Sequence, residues 1–164
     1  MFYSPEAIIK LVALNNAHAA ELSWLDARQL GIFLNQAFCA RSIGQAEAFL
    51  LAFDETAVYD SPNYLWFRER YPRFVYIDRV AVSPAARRRG HAQRLYADLG
   101  QQAAAERHSI ICCEVNLDPP NPASDALHAA LGFTEVGRAA LHGRGKTVRY
   151  LTLPITPDRA EEPV

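Results

Sequence analysis

Apolar residues recur with a helical period over the first part of the chain, from Pro5 to Ala37. Residues three or four positions apart lie on one side of an α-helix, so such a stripe predicts an amphipathic helix. We expect two helices in this segment, with a break near Asp26 or Gly31. The apolar positions on the stripe are Ile8, Leu11, Val12 and Leu14, followed by Leu22, Leu25, Leu30 and Phe33.

The pattern then changes to short runs of apolar, β-branched and aromatic residues, which indicate strands. Gly44-Gln45 separates two such runs and predicts a hairpin, and another run ends in the strand-to-loop signal Ser83-Pro84. An apolar stripe after Gly90 predicts a helix, and Asn121 has the position of an N-cap, with a proline after it. The predicted order after the first helices is a hairpin (38–43 and 46–53), a long aromatic loop (54–73), a strand (74–82), a helix, a strand (109–117), a helix, a hairpin (133–141 and 146–155) and a polar tail (156–164).

Length and composition are those of one globular domain. The chain has 164 residues, of which 50% are hydrophobic and 21% are charged, and we expect a single domain over 1–155 with a flexible tail over 156–164. The element order places the chain in the α/β (α+β) class, with a mixed sheet flanked by helices.

No apolar stretch approaches the roughly 18 residues that span a bilayer, and the first residues lack signal-peptide features. We therefore expect a cytoplasmic protein that binds no membrane.

Charge and cysteine content argue against several classes of protein. The formal net charge is −1, which provides no positive field for nucleic acid, so an RNA-binding domain built on the arginines at 87–89 is disfavoured. Three cysteines, two of them adjacent, do not make a disulfide framework. The cysteines and histidines lack metal-ligand spacing, so we expect no metal.

The stretch VSPAARRRGHAQRLYADLG, residues 82–100, has the features of an anion-binding loop. A strand ends at Val82, and Gly90 opens a helix whose first turn has free N–H groups and the positive end of the helix dipole. Glycine lets the backbone approach an anion closely, and the arginines add charge at the rim. Two common phosphate motifs do not apply, because the spaced glycines of a Rossmann fingerprint are missing and Ala140 replaces the first glycine of a Walker A loop.

The pattern Arg87-x-x-Gly90-x-Ala92, between a strand and an amphipathic helix, resembles the acetyl-coenzyme A signature of the GNAT (GCN5-related N-acetyltransferase) superfamily. The later stretch CEVNLDPPN and the Leu-Gly-Phe ending of the next helix (131–133) resemble the same superfamily, so the match covers residues 73–155. The resemblance implies the GNAT fold, whose mixed and mostly antiparallel central sheet splays apart between its two central strands. It also implies acetyl-coenzyme A (acetyl-CoA) as co-substrate, without a metal.

The resemblance further implies which residues hold acetyl-CoA. N–H groups of the arginine-glycine loop would bind the pyrophosphate, and the backbone of Val80 and Val82 would pair with the pantetheine arm. The N–H of Val80 would polarise the thioester carbonyl. Asn121 either contacts the pantetheine or only caps its helix. The expected cofactor-binding residues are Val80, Ala81, Val82, Arg87, Arg88, Arg89, Gly90, His91, Ala92, Asn121, Ser124 and His128.

Acetylation of an amine needs a base, because an alkyl amine titrates near ~10.4 and must lose a proton. Glu114 lies in an otherwise apolar strand, at a position matching the base of some superfamily members. Asp78 shares the face of Val80 if its strand alternates regularly. Each carboxylate alternatively forms an ion pair, for instance with Arg79. His128 stands where many relatives have a tyrosine acid, and it either protonates the leaving thiolate or packs on its helix.

The acceptor site is expected between the first helices and the long aromatic loop. Asn15, His18 and Glu21 lie on one helical side, and a solvated helix face is the alternative. Tyr64 and Trp66 would belong to an aromatic wall around the acceptor, unless these rings only cover the sheet edge.

Together these features predict an acetyl-CoA-dependent N-acetyltransferase that moves an acetyl group to a primary amine by direct attack in a ternary complex. A small-molecule amine or an amino-acid-like molecule is the expected acceptor. The alternative is a non-catalytic acyl-CoA-binding or sensing module, which the missing tyrosine motivates. A covalent relay through Cys112 is a lesser alternative. The C-terminal hairpin favours edge-to-edge pairing in a homodimer.

Overall fold

The computed structural model describes residues 3–157, which form a six-stranded sheet with helices packed on both faces. The predicted tail at 156–164 lies almost entirely outside the described residues. The elements are α1 (Pro5–Ala17), α2 (Ala19–Leu22), α3 (Ala27–Gln36), β1 (Cys39–Ile43), β2 (Ala48–Asp54), α4 (Pro62–Arg68), β3 (Val75–Val82), a 3-10 turn (Pro84–Ala86), α5 (His91–Ala105), β4 (Ile110–Asp118), α6 (Pro122–Leu131), β5 (Thr134–Leu141) and β6 (Lys146–Pro154).

The strand order is β1-β2-β3-β4-β6-β5, and every neighbouring pair is antiparallel except β3 and β4. These two central strands pair only where Val75 faces Ile111 and Tyr76 faces Cys112. Beyond that point they diverge, while β2 and β6 continue to pair with their outer edges. The structure therefore confirms the predicted fold class, including the splay between the central strands.

Each face of the sheet has its own hydrophobic core. On one face, Leu11 of α1 and Leu30 of α3 pack with Phe53 of β2. On the other, Leu95 and Leu99 of α5 are fully buried, as the apolar stripe after Gly90 predicts. No helix within residues 3–157 combines the length and the apolar character needed to cross a bilayer.

The N-terminal helical segment is divided further than the sequence predicts. It forms three helices, with breaks at His18 and at Ser23–Asp26. Asp26 caps α3, because its side chain accepts a hydrogen bond from the Gln29 N–H while the Gln29 side chain accepts one from the Asp26 N–H. Gly31, the other proposed break, lies inside α3. The break near Asp26 is confirmed.

The loop predicted over 54–73 contains a helix, so that part of the prediction is wrong. Pro62 occupies the first turn of α4 and follows Ser61 at the N-cap position, which is a helix-start signal. The aromatic residues of α4 obscure the helical period in the sequence, because nearly every side chain of this helix is large. Tyr64 and Phe67 are fully buried between the sheet and the helices.

A β-bulge interrupts β3 beside the splay. Ile77 faces Ala52 and Arg79 faces Leu51, so that Asp78 is an extra residue between two consecutive partners on β2. The regular alternation expected for this strand is therefore wrong, and Asp78 does not share the face of Val80. Asp78 bonds to Tyr59 on the α4 side of the sheet, whereas Val80 packs with the α5-side core.

Replacing Gly137 of β5 by alanine is expected to destabilise the protein by about 1–3 kcal/mol, because the site is already filled. A Cβ on Gly137 would lie 2.5 Å from Cζ2 of Trp66, whose ring stacks on Tyr150 at 4.2 Å between centroids. The matched control is Gly100→Ala in α5, where an added Cβ meets nothing within 4 Å and stability should rise by about 0.5–1 kcal/mol. Denaturant unfolding measures both, and equal effects would contradict this packing.

Candidate active site

The splay between β3 and β4 opens two adjoining cavities. The first, here called the cleft cavity, lies towards α5 and α6. It is lined by Glu21, Leu22, Ile77, Asp78, Val80, Tyr96, Cys113, Glu114, Val115, Asn116, Asn121, Ser124 and His128. The second, the hairpin cavity, lies towards α4 and the β5–β6 hairpin. It is lined by Glu21, Leu22, Ser23, Tyr59, Ser61, Asn63, Asp78, Arg79, Glu114, Asn116, Leu141, Arg144, Lys146 and Val148. The residues common to both mark the junction of the two cavities.

Glu114 of β4 lies at this junction and is fixed by two hydrogen bonds. The Tyr76 hydroxyl donates to Oε2 at 2.8 Å, and the Asn63 amide donates to Oε1 at 3.0 Å. Asn63 is oriented in turn, because its side-chain oxygen accepts a hydrogen bond from the Tyr150 hydroxyl at 2.9 Å. The carboxyl group is therefore held in one position by residues from three other elements.

Burial raises the pKa of Glu114 to about 8, and the nearby Asp78 carboxylate contributes to the rise. The hydrogen bond from Tyr76 acts in the opposite direction, since it stabilises the charged form. A carboxyl group with such a pKa exchanges protons near neutral pH, whereas an ordinary glutamate is ionised throughout that range. Strongly shifted groups inside a cleft are typical of functional sites.

Asp78 has a different environment, in which both of its oxygens are occupied. The Tyr59 hydroxyl donates to Oδ1 at 2.7 Å, and the Arg79 guanidinium donates to Oδ2 at 3.0 Å. Burial raises the pKa of Asp78, and the Arg79 charge opposes that rise. The alternative of an ion pair with Arg79 is thus the arrangement found for Asp78, while Glu114 has no such ion pair among the described residues.

The three residues proposed on the first helices have different places in the structure. Asn15 is buried and accepts a hydrogen bond from Arg79 at 2.8 Å, so it supports the fold rather than lining a cavity. His18 donates through Nδ1 to the Leu14 carbonyl at 2.9 Å. Glu21 alone of the three lines the cavities.

The two aromatic residues proposed for the acceptor wall pack in or against the core on the α4 side of the sheet and line neither cavity. Tyr64 is fully buried, and its hydroxyl donates to the backbone carbonyl of Asp54 at 2.7 Å. Trp66 is half-buried and stacks on Tyr150, and the Arg70 guanidinium lies 3.9 Å from a centroid of its ring. Their positions agree with the alternative interpretation, in which these rings cover the sheet rather than contact the acceptor. The long segment instead supplies Tyr59, Ser61 and Asn63 to the hairpin cavity.

His128 borders the cleft cavity, with both ring nitrogens engaged. Nδ1 lies 2.7 Å from the Ser124 carbonyl, which can only accept, so Nδ1 carries the proton. Nε2 then accepts a hydrogen bond from the Tyr96 hydroxyl at 2.7 Å. Burial lowers the pKa of His128. The imidazole is therefore neutral and bonded on both sides, unlike the imidazolium that an acid would require.

Asn121 caps α6, as the sequence predicts, by accepting a hydrogen bond from the Ser124 N–H at 3.3 Å. Asn121 and Ser124 both line the cleft cavity as well. The cap uses only the side-chain oxygen of Asn121, so capping and contact with a ligand are compatible.

The arginine-glycine loop forms a third concavity at the start of α5, lined by Val82, Ala86, Arg87, Arg88, Gly90, His91, Ala92 and Gln93. Gly90 is the N-cap of α5, with a φ of 74° and no side chain to bond the first-turn N–H groups. Arg89 and His91 face Glu47 at 3.8 Å and 3.2 Å. Exposed arginines and free N–H groups thus converge at the positive end of a fifteen-residue helix.

The loop is connected to the cleft by the unpaired edge of β3. Val80 lines the cleft cavity and Val82 lines the loop concavity, and both lie beyond the last β3–β4 pair at Tyr76. Backbone groups that point from this segment towards β4 therefore have no strand partner there. Ala81, between the two valines, packs its side chain into the core on the opposite face.

Neither cysteine of β4 has the character of a nucleophile. Burial raises the pKa of Cys112 and Cys113 well above the usual value, so both are protonated thiols at neutral pH. Cys113 borders the cleft cavity, whereas Cys112 packs into the core on the α4 side.

A group of metal-ligating residue types lies outside the cleft. Ligand atoms of Asp54, Glu55 and His108 are within 4.8 Å of one another. The Arg73 guanidinium donates to Glu55 at 3.1 Å, and His108 Nε2 also contacts Glu55. The positive charge of Arg73 thus lies beside the Glu55 carboxylate of this cluster.

Several solved structures have a fold similar to that of this chain. The chain from the crystal structure of the NatC complex bound to Gag peptide and CoA superposes with a TM-score of 0.69 and 18% identity, over 93% of both chains. The ribosomal-protein-S18-alanine N-acetyltransferase from Escherichia coli gives 0.66 and 16%, over 100% of this chain and 97% of that chain. Naa20 from Chaetomium thermophilum, with a bisubstrate analogue, gives 0.69 and 18%, over 93% and 84%. At these identities the similarity shows a shared fold. No curated protein matches the sequence.

The sequence itself matches a family over more than half of its length. The model of the Acetyltransferase (GNAT) family matches residues 26–133, which include the arginine-glycine loop, the splayed strands and α6. The chain therefore belongs to the GNAT family of acetyltransferases and is an acyltransferase.

Proposed function

We propose that the protein transfers an acetyl group from acetyl-CoA to a primary amine by direct attack in a ternary complex. The observation that supports this most is the position of Glu114. A buried carboxyl group, with its pKa raised to about 8, lies where the cleft cavity meets the hairpin cavity. Two substrates entering from opposite sides of the sheet would meet beside a group able to take up a proton.

The described residues fit acetyl-CoA as the first substrate. The loop concavity offers helix N–H groups and arginines to a pyrophosphate. The free edge of β3 offers backbone groups to the amide-containing pantetheine arm. An added Cβ at Gly90 meets no atom within 4 Å, so the space above the loop is open. Coenzyme A is also the ligand named for the similar NatC complex.

The hairpin cavity is the proposed entrance for the amine. As the new C–N bond forms, the nitrogen becomes acidic, and its proton passes to Glu114 directly or through one water. The N–H of Val80 stabilises the charge on the carbonyl oxygen of the tetrahedral intermediate. The C–S bond then breaks, and the electron pair leaves with the sulfur. Both cysteines of β4 are buried protonated thiols, which favours this direct path over a covalent relay.

We assign no proton-donor role to His128. Its Nδ1 proton is held by the Ser124 carbonyl, and its Nε2 accepts from Tyr96. A thiol titrates near ~8.5, so a thiolate can leave near neutral pH without an acid. His128 and Tyr96 instead define the wall of the cleft cavity beside α6.

The acceptor is either a small amine or the amino terminus of a peptide. A small amine is the acceptor expected from the sequence, whereas the similar structures include a ribosomal-protein-S18-alanine N-acetyltransferase and a complex bound to a peptide. The test is acceptor-dependent release of CoA, measured over a panel containing both classes, with the products identified by mass spectrometry. Release that rises with an acceptor supports the proposal. Binding of acetyl-CoA with release unchanged by every acceptor would favour the sensing module instead.

The edge of the sheet offers a dimer contact. β5 is the last strand in the order and pairs with β6 on one side only. Pairing of two β5 edges in a homodimer remains a prediction, for which sedimentation gives the mass in solution.

A further inference from the structure

The hairpin cavity has opposite charges at its two ends. Glu21, Asp78 and Glu114 are shared with the cleft cavity, so they mark the inner end. Arg144 and Lys146 are shared instead with a concavity at the outer mouth. A molecule lying along this cavity meets acidic groups at its inner end and basic groups at its outer end.

The two outer cations differ from Arg79, the third cation of the cavity. Arg79 is buried, paired with Asp78 and bonded to backbone carbonyls of α2 and the segment after it. Lys146 donates one hydrogen bond, to the Ala20 carbonyl at 2.8 Å, and an ammonium group has two further donors. Arg144 makes no side-chain hydrogen bond or ion pair among residues 3–157 and is exposed.

Other charged groups around the mouth do not cancel this basic character. Asp60 is the one acidic residue that lines the outer concavity, and it is exposed. Arg144 and Lys146 together outweigh this single carboxylate. The mouth therefore carries a net positive charge, even though the whole chain has a formal net charge of −1.

We propose that Arg144 and Lys146 form an anion-binding subsite for the acceptor, so that the preferred acceptor carries a carboxylate or another anionic group in addition to its amine. This inference rests on the proposed function, because it assumes that the amine is acetylated beside Glu114. Glu21, whose carboxylate has no ion pair among the described residues, attracts an incoming ammonium group at the inner end, while the outer cations attract the anion. A molecule with both charges is thereby oriented with its amine inwards.

An acidic peptide and a small amino acid share this chemistry, and two arms of one experiment distinguish them. The peptide arm compares Ala-Glu-Ala-Ala-amide with Ala-Gln-Ala-Ala-amide. The small-molecule arm compares 4-aminobutyrate with 4-aminobutanamide. In each pair the chain length is kept and one negative charge is removed. Transfer of the acetyl group from acetyl-CoA is measured as kcat and KM for each acceptor.

The wild-type protein is expected to favour the anionic member of at least one pair by about tenfold in kcat/KM, mainly through a lower KM, since each exposed charge pair contributes a factor of a few. The preference should weaken as the salt concentration rises. The double substitution Arg144→Gln and Lys146→Gln should abolish it, so that kcat/KM becomes equal for the two members of each pair. Arg144→Glu alone should reverse the preference.

The matched control is Arg107→Gln, which removes one exposed positive charge from the segment after α5, away from both cavities. It should leave the preference intact. Equal kcat/KM for both members of each pair, or a preference that survives the double substitution, would overturn the subsite while leaving the acetyltransferase proposal in place. Absence of transfer to all four acceptors and to the wider amine panel would overturn the proposed function itself and the subsite with it.

Discussion

Replacing Glu114 by glutamine is expected to lower kcat by about 10²–10⁴-fold, the usual contribution of a general base. Glutamine has the same shape and can still accept a hydrogen bond from Tyr76, but it cannot take up the proton of the attacking amine. The affinity for acetyl-CoA should stay unchanged, because the pyrophosphate is expected at the separate loop concavity. Steady-state kinetics and calorimetric titration measure the two quantities on the same preparation.

The control for this substitution is Asp78→Asn, which removes another carboxylate that lines both cavities. Asp78 already balances Arg79, so its replacement should affect stability more than kcat. A larger loss of kcat in Asp78→Asn than in Glu114→Gln would assign the role of general base to Asp78. Full activity of Glu114→Gln would remove the proposed role of Glu114.

The substitution Gly90→Asp is expected to weaken acetyl-CoA binding by about 100-fold or more, as charge-assisted hydrogen bonds to the pyrophosphate are lost. Gly90 has a φ of 74° and precedes the free N–H groups of α5. A carboxylate there would bond those N–H groups itself and repel a phosphate. Aspartate tolerates this backbone region better than most residues, and an added Cβ meets no atom within 4 Å, so folding should persist.

Gly90→Asn separates charge from shape, since asparagine adopts the same backbone region without the negative charge. Its loss of affinity should be clearly smaller than that of Gly90→Asp, when both are titrated with acetyl-CoA by calorimetry. Unchanged binding in the aspartate variant would show that the loop concavity does not hold the pyrophosphate.

Local sequence patterns are sufficient for the order of the six strands, for α5 and α6 and for the arginine-glycine loop between β3 and α5. The N-cap at Asn121 and the left-handed Gly132 after α6 depend only on near neighbours in the chain, and both are present. The apolar stripe of α5 is equally local. Such features are encoded within a few residues, which is why a single sequence reveals them.

The surroundings of Glu114 depend on contacts that no local pattern contains. Tyr76 is 38 residues from Glu114, and Asn63 is 51 residues away on α4, a helix within the segment for which the sequence predicts a loop. The bulge at Asp78 likewise follows from the pairing with β2 rather than from the composition of β3. Ser61-Pro62 is a local signal for the start of α4, and it predicts that Asn63 lies in the first turn of a helix.

Catalysis by Glu114 is tested by the pH dependence of kcat at saturating acceptor, compared between the wild type and Tyr76→Phe. Glu114 must be deprotonated to act as base, so kcat should fall as the pH drops through the pKa of about 8. The Tyr76 hydroxyl stabilises the Glu114 carboxylate and thereby lowers the pKa of Glu114. Removal of this hydroxyl should raise that pKa, so that the fall in kcat occurs at higher pH. A fall in kcat at the same pH in both proteins would reflect the titration of another group, such as the acceptor amine, and would contradict catalysis by Glu114.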